Sequence, residues 1–320
     1  MSISPSFSEE SHTSSKAGQQ QLAEFWQQVT TGFFKGKKGC NIAWCSIRHN
    51  DSDKAVVISN GRVESFLKYQ ELIFDLYQQG YSVYALDHRG QGLSGRMTAN
   101  PHKGHVSQFD DYIEDLHSFI NAQVKPAKHH SLYLLGHSMG GCIGTLYLQK
   151  HPETFKAAAF SAPMYGIKLP APKGLIRWLA SALDKLSGDE PWYVLGGTDY
   201  KCQPFEGNEL TQSEGRYGVY RTLYQSQPEI QLGSPTNHWL VQALDACDRS
   251  IEAARNSRVP ILVLQAEDDT IVDNAAQDAA VGSLCEKLLI PGARHEIFIE
   301  TDARREVALT RVCDFFARYQ

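Results

Sequence analysis

The chain has 320 residues, 42% of them hydrophobic and 21% charged, with a net charge of -5 at neutral pH. That length suits one large α/β core with an insertion, and the lack of a basic excess argues against a nucleic-acid partner and against a general pull towards anionic membranes. No apolar run approaches the roughly 20 residues a membrane span requires, and the N-terminus lacks the basic start and apolar stretch of a secretory signal. Seven scattered cysteines without Cys-x-x-Cys spacing read as reduced thiols. The expectation is a cytoplasmic protein, in contact with a membrane only peripherally at its inner face.

Residues 1 to about 20 are rich in Ser, Gln, Glu and Lys and poor in apolar side chains, so they read as a disordered tail. From Phe33 to His49 the pattern is that of an antiparallel hairpin at a sheet edge. Short buried strands follow at Lys54 to Ser59 and Tyr81 to Leu86, with a helix from Ser65 to Gln79 between them. A helix from Phe109 to Val124 precedes the strand that starts at Leu132, and a further strand runs from Phe155 to Phe160. This alternation predicts an α/β fold, a mostly parallel central sheet with helices on both faces. It stops at Pro163. Between residues 164 and 258 the chain carries six prolines and many aromatics, then the sheet pattern resumes at Val259 to Leu264, with a helix around Ala275 to Ser283, a strand at Lys287 to Ile290 and a terminal helix from Arg304 to Tyr319. The expected organisation is a core of residues 21–163 and 259–320 interrupted by a helical cap at 164–258.

The strand from Leu132 breaks into Gly136-His137-Ser138-Met139-Gly140 and continues as an apolar helix. A Gly-x-Ser-x-Gly turn between strand and helix is a nucleophile elbow: the glycines permit close approach, the serine hydroxyl is thrust out of the sheet, and the amide after it, that of Met139, opens a helix and can donate to an oxyanion. Serine needs a general base and a group that fixes the base's tautomer, in chain order Ser, acid, His. After the strand ending at Leu264 come Glu267, Asp268, Asp269 and Asp273; Asp269 is preferred for its register, and the others read as solvated loop residues. After the last strand comes His295, the candidate base. The turn after Ser59 should supply a second oxyanion donor, assigned to the amide of Arg62 beside Gly61. Gly90-Gln91-Gly92-Leu93-Ser94-Gly95 has dinucleotide-site spacing, but no helix opens there and no acid ends a following strand, so it reads as a structural turn.

Asp87 to Ser94, Gly136 to Gly141, Leu264 to Asn274 and Gly292 to Ile297 together resemble the α/β-hydrolase serine esterases of the monoacylglycerol lipase and lysophospholipase group, most of all the lysophospholipases associated with the bacterial inner membrane. Gly61 to Ser65, Ala162 to Gly166 and Pro235 to Trp239 add to the likeness, which covers about residue 30 to the end. The resemblance implies hydrolysis of the single acyl ester of a lysophospholipid or monoacylglycerol by Ser138, Asp269 and His295. Asn60 departs from the group's His-Gly-x-x-Glu pattern, a change tolerable if the oxyanion donor is a backbone amide. No metal or organic cofactor is implied, and no obligate protein partner.

In the insertion, Leu175, Trp178 and Leu179 lie on one helical stripe that would line an acyl tunnel or touch lipid, with Lys168, Lys173 and Arg177 placed to meet phosphate head groups; packing of that helix on its own core is the plainer alternative. The same triad would also serve a general carboxylesterase or an aminopeptidase, and a hydrolase fold can bind a ligand without turnover.

Overall fold

Runs such as Ala55-Val56-Val57-Ile58 and Ile261-Leu262-Val263-Leu264 are apolar at successive positions, which suits strands covered on both faces. In the computed structural model, which describes residues 6–320, they lie in interior strands of an eight-stranded sheet. The strands are β1 (Thr30–Lys35), β2 (Asn41–Ile47), β3 (Lys54–Ser59), β4 (Ser82–Leu86), β5 (Ser131–His137), β6 (Ala157–Ser161), β7 (Ile261–Ala266) and β8 (Cys285–Ile290), in the order β1-β2-β4-β3-β5-β6-β7-β8. The expected hairpin β1–β2 and the β2–β4 pair are antiparallel; every other pairing is parallel. Alternation along β3 sends Ala55 and Val57 into one apolar cluster and Val56 and Ile58 into the other, so the sheet separates two cores.

The helices are α1 (Glu10–Thr13), α2 (Lys16–Trp26), α3 (Gln70–Gln78), α4 (Asp110–Phe119), α5 (Met139–Lys150), α6 (Lys173–Ser187), α7 (Glu214–Ser226), α8 (Asn237–Arg255), α9 (Asn274–Ala279) and α10 (Asp302–Ala317). Leu116 of α4, Ile143 of α5 and Ala243 of α8 fill one core, while Leu72 of α3, Tyr220 of α7 and Phe316 of α10 fill the other. This is the mostly parallel sheet with helices on both faces expected from the alternation of strands and helices, and it agrees with the α/β-hydrolase fold that the resemblance implies. The helix expected at Ala275 to Ser283 is shorter, because the chain leaves it at Ala280.

Two expectations need correction. Within the described part of the expected tail, residues 6–20 carry α1 and the start of α2, and the rest of that expectation lies outside the described residues. Few apolar side chains hold this segment; polar ones do. Ser8 donates through its amide and hydroxyl to Asp75, the Glu10 amide donates to Asp302, and Glu10 accepts the amide of Gly215. Reading order from hydrophobic content alone misses such bonds. The insertion boundary also moves: α8 puts Trp239, Ala243, Ala246 and Cys247 into the same core as Met139 and Ile143, and α7 puts Tyr217, Tyr220 and Tyr224 into the other, so the insertion is not a separate unit running to residue 258: α8 belongs to the core and α7 packs on it.

The Gly90 to Gly95 segment folds as a turn closed by the Gly90 amide on the Gly95 carbonyl (2.9 Å). The Asp87 carboxylate fills the inside of this turn. It accepts Ser65 Oγ (2.8 Å) and the amides of Phe66 (2.6 Å) and Leu93 (2.8 Å), and a Cβ on Gly92 would come within 2.1 Å of it. Next to it, Arg89 is fully buried and makes a two-pronged pair with Asp115, Nε to Oδ2 at 2.6 Å and Nη2 to Oδ1 at 2.7 Å. Removing one member of such a pair strands the other charge away from water. Arg89→Ala is therefore expected to lower unfolding stability by about 3–5 kcal/mol, measured by urea denaturation.

His88 is buried, accepts or donates one bond to Ser59 Oγ (2.9 Å), and leaves Nδ1 without a partner. Burial lowers its pKa to about 3. An unfolded histidine titrates near 6.5, so the unfolded chain takes up a proton that the folded chain refuses; stability from this group is complete above about pH 6.5 and is lost as pH falls towards 3. Between pH 7.5 and 5 the wild type should lose about 2 kcal/mol more than His88→Gln. Parallel pH profiles for the two would contradict this assignment.

Candidate active site

The turn between β5 and α5 forces Ser138 into a left-handed backbone (φ 51°, ψ -117°). For a non-glycine residue such a conformation is strained and needs support from its surroundings. Here the Ser138 amide donates to the Ser161 carbonyl (3.0 Å) and the Ser138 carbonyl accepts the Met164 amide (2.9 Å). Glycine two residues further on is a steric requirement: a Cβ on Gly140 would sit 1.9 Å from the carbonyl oxygen of Ser59, and one on Gly136 would lie 2.9 Å from the Phe160 ring.

Ser138, Asp269 and His295, drawn from three separated stretches, meet at the carboxyl ends of β5, β7 and β8. His295 Nε2 is 3.0 Å from Ser138 Oγ, and His295 Nδ1 is 2.8 Å from Asp269 Oδ2. The other oxygen, Asp269 Oδ1, accepts the amides of Ile271 (2.8 Å) and Val272 (3.0 Å). Burial would raise this carboxyl, but the His295 hydrogen bond and the two amides outweigh it and hold the pKa below the ordinary value. With Asp269 accepting at Nδ1, the neutral ring carries its proton there and presents a lone pair to the serine. Asp268 and Glu267 face elsewhere: the Asp268 amide bonds the Ala293 carbonyl, and Glu267 accepts the Gly292 amide.

The Met139 amide is the first of α5 and has no helical acceptor. The turn carrying Arg62 is fixed from below. Glu64 Oε2 accepts the Gly61 amide (2.5 Å) and Tyr69 Oη (2.6 Å), and Gln91 Nε2 donates to the carbonyls of Gly61 (2.6 Å) and Glu64 (2.9 Å). The Arg62 amide is left without a partner among the described residues. Its side chain turns away, donating to the Gly233 carbonyl (3.0 Å) over the Trp239 ring. Asn60 donates to Asp87 Oδ1 (3.2 Å), a structural task away from the serine.

A buried ionic group beneath the site went unread in the sequence. Lys68 Nζ bridges Glu64 Oε1 (3.0 Å) and Glu296 Oε1 (2.6 Å), all three side chains being nearly inaccessible. Burial works against the Glu64 charge, yet Lys68 and His137 bring its pKa down to about 2; burial and the Glu64 charge push Glu296 up. The signal available was the acid directly after His295 and the Glu64/Lys68 spacing of four. Glu64, His137 and Glu296 bring ligand atoms within 4.8 Å of one another, a spacing compatible with a metal ion, but the Lys68 ammonium already supplies the cation between the carboxylates. His137 Nδ1 donates to the Ser161 carbonyl (3.2 Å), and burial lowers its pKa to about 4.

Ser138 and His295 open on a cavity of about 370 Å³. One part of its wall is apolar, with Met164, Ile167, Leu240, Ile271 and Val272; the other is polar, with Lys68, Tyr220, Arg221, Tyr224 and Glu296. Leu175, Trp178 and Leu179 are absent from this wall. On α6, Leu175 and Trp178 instead face solvent, 55% and 67% exposed. The basic residues near them are also engaged, Lys173 with Asp248, Arg177 with Asp245 and Lys168 with the Asp269 carbonyl. The substrate-lining role expected for α6 is therefore corrected: the insertion reaches the cavity through α7 and through Met164, Ile167, Leu210 and Pro235.

The profile of the family described as serine aminopeptidase, S33, matches residues 50–302. The chain is 39% identical over 307 residues to lysophospholipase L2 of Escherichia coli (strain K12), with 93% of this chain and 90% of that protein covered. It is 34% identical over 301 residues to the probable lysophospholipase L2 of Haemophilus influenzae, with 92% and 94% covered. A soluble variant of monoglyceride lipase from Saccharomyces cerevisiae, solved with a substrate analog, superposes with a TM-score of 0.69 at 19% identity, covering 91% of this chain and 97% of that one. At such identity the superposition speaks for the fold, and the sequence matches carry the kinship. The chain belongs to the serine aminopeptidase S33 family of α/β-hydrolases.

Proposed function

We propose that this protein is a serine hydrolase that cleaves the acyl ester of a lysophospholipid or monoacylglycerol through an acyl-enzyme on Ser138. The observation that carries the reading is the hydrogen-bonded line Ser138–His295–Asp269 opening on a cavity that is apolar along one part and polar along the other. His295 Nε2 takes the Ser138 proton as Oγ attacks the ester carbon, and the amides of Met139 and Arg62 hold the resulting oxyanion. His295 then gives that proton to the leaving alcohol as its C–O bond breaks. Water repeats the sequence: His295 takes a proton from it, the hydroxide oxygen attacks the acyl carbon, and the proton returns to Ser138 Oγ as the fatty acid departs. Asp269 stays ionised and stabilises the imidazolium. An apolar wall suits the acyl chain and a polar one the alcohol.

The relatives named as lysophospholipases support the substrate class. Residues 164–236 serve as a cap in this reading, since Tyr220, Arg221 and Tyr224 of α7 help enclose the cavity. Ser138→Ala should lower kcat/KM on a lysophospholipid by at least about a thousandfold, and Asp269→Asn by about 10⁴-fold through loss of the tautomer lock. Near wild-type turnover of either variant would refute the assignment.

The proposal extends to a peripheral membrane contact. Among the described residues no helix is long and apolar enough to cross a membrane. Leu175, Trp178 and Leu186 of α6, however, present an exposed apolar stripe, and Trp192 and Leu195 follow it. Such a surface fits an interfacial helix. Co-sedimentation with liposomes should fall several-fold in Trp178→Ser; unchanged binding would contradict the contact.

A further inference from the structure

A guanidinium away from water ordinarily finds a carboxylate. Arg221 of α7, on the wall of the catalytic cavity, does not: no carboxylate lies within ion-pairing distance of it among the described residues. Its acceptors are two neutral phenols, Tyr217 Oη at 2.8 Å from Nη2 and Tyr200 Oη at 3.5 Å from Nη1. The rings of Tyr217 and Tyr220 flank it, with the guanidinium carbon 4.7 and 5.1 Å from their centroids. Aromatic faces hold a cation in place without neutralising it. Arg221 Nε and the hydroxyl of Tyr220, both buried, have no hydrogen-bond partner among the described residues. Two orphan donors, one of them charged, thus belong to adjacent residues that both line the cavity.

The remaining charges there do not supply the missing counter-ion. Lys68 bonds both Glu64 and Glu296 and lies 4.3 Å from the Tyr220 ring, so the two acids are already held by a cation of their own. Between them, Glu296 is the member pushed towards its neutral form by burial and by Glu64. Glu296 Oε2 is unpartnered among the described residues, but it forms no ion pair with Arg221, and what that guanidinium lacks is an acceptor of negative charge within reach.

We propose that Arg221 and Tyr220 form an anion subsite of the catalytic cavity that receives the phosphodiester of the substrate's alcohol portion. The subsite deepens the ester-hydrolase reading above and rests on it. With the acyl chain along Met164, Ile167 and Val272 and the ester carbon at Ser138, the glycerol leads towards α7. A phosphate oxygen there gains an ion-paired hydrogen bond from Arg221 and a second bond from Tyr220, whereas a monoacylglycerol offers these donors only neutral hydroxyls. The subsite therefore sets the preference between two substrates that share the same acyl ester.

The test compares kcat/KM on palmitoyl lysophosphatidylcholine with that on monopalmitoylglycerol. In Arg221→Gln the ratio of the two should fall about tenfold or more, the loss expected for one charge-assisted hydrogen bond. Tyr220→Phe removes a hydroxyl that bonds nothing in the free protein, so folding is spared; its ratio should fall about threefold. A ratio unchanged in both variants, with equal losses on the two lipids, overturns the subsite. A second arm does not depend on the lipid being a substrate: inhibition of p-nitrophenyl butyrate hydrolysis by glycerophosphocholine, glycerol or inorganic phosphate. The diester should inhibit more strongly than glycerol, and its inhibition constant should rise about tenfold in Arg221→Gln. Equal inhibition of wild type and variant contradicts the subsite, and inhibition by inorganic phosphate as strong as by the diester contradicts its assignment to a lipid head group. Wild type that hydrolyses the chromogenic ester but neither lipid would refute the proposed function, while this arm would still decide the subsite.

Discussion

At Ser138 the chain turns from strand to helix through a left-handed backbone, and the turn fits only because Gly140 lets α5 come against the carbonyls of Ser59 and Asn60. That close approach ties the nucleophile to the end of β3, where the Arg62 turn begins. It also points the first amide of α5 out of the helix. The proposed nucleophile and oxyanion donors thus share one assembly that is built without a substrate, as electrostatic catalysis requires. Wherever a side chain at residue 140 would stand, a backbone oxygen already does.

Buried charge holds the surrounding loops to this assembly. Glu64 fixes the Gly61 amide on one side and Lys68 on the other, and Lys68 reaches Glu296, the neighbour of His295. The Arg62 turn and the His295 loop therefore share one ionic group. A second group, Arg89 with Asp115 and Asp111, ties the turn after β4 to α4. Buried pairs of this kind contribute little net stability, since desolvation opposes the attraction, but a lost partner is costly. Their use here is to fix geometry. Arg221 stands apart from both groups, with phenols where the others have carboxylates.

Much of this was legible in the sequence. Continuous apolar runs marked the buried strands, and the Gly-x-Ser-x-Gly motif between strand and helix marked the elbow. The order Ser, acid, His then led to Asp269 and His295, and the structure brings both to Ser138. What escaped was whatever depends on pairing between distant polar residues. The N-terminal helices are held by Asp75, Asp302 and Gly215, more than 60 residues away, so their poverty in apolar side chains was misleading. The stripe on α6 announced an amphipathic helix but not which way it faces, and the apolar residues turn outwards while the basic ones pair with α8. In α8, core positions such as Ala243 and Ala246 are small, and small residues give a weak burial signal.

The account depends most on Ser138 being the one activated serine. Its most direct test is peptide mapping after brief exposure of the native protein to a fluorophosphonate, which reacts with a hydroxyl only where a base has been positioned for it. The account requires one adduct per chain, on the peptide carrying Ser138, and no adduct after unfolding in urea before exposure. Labelling of another residue, or none on the folded protein, would contradict it.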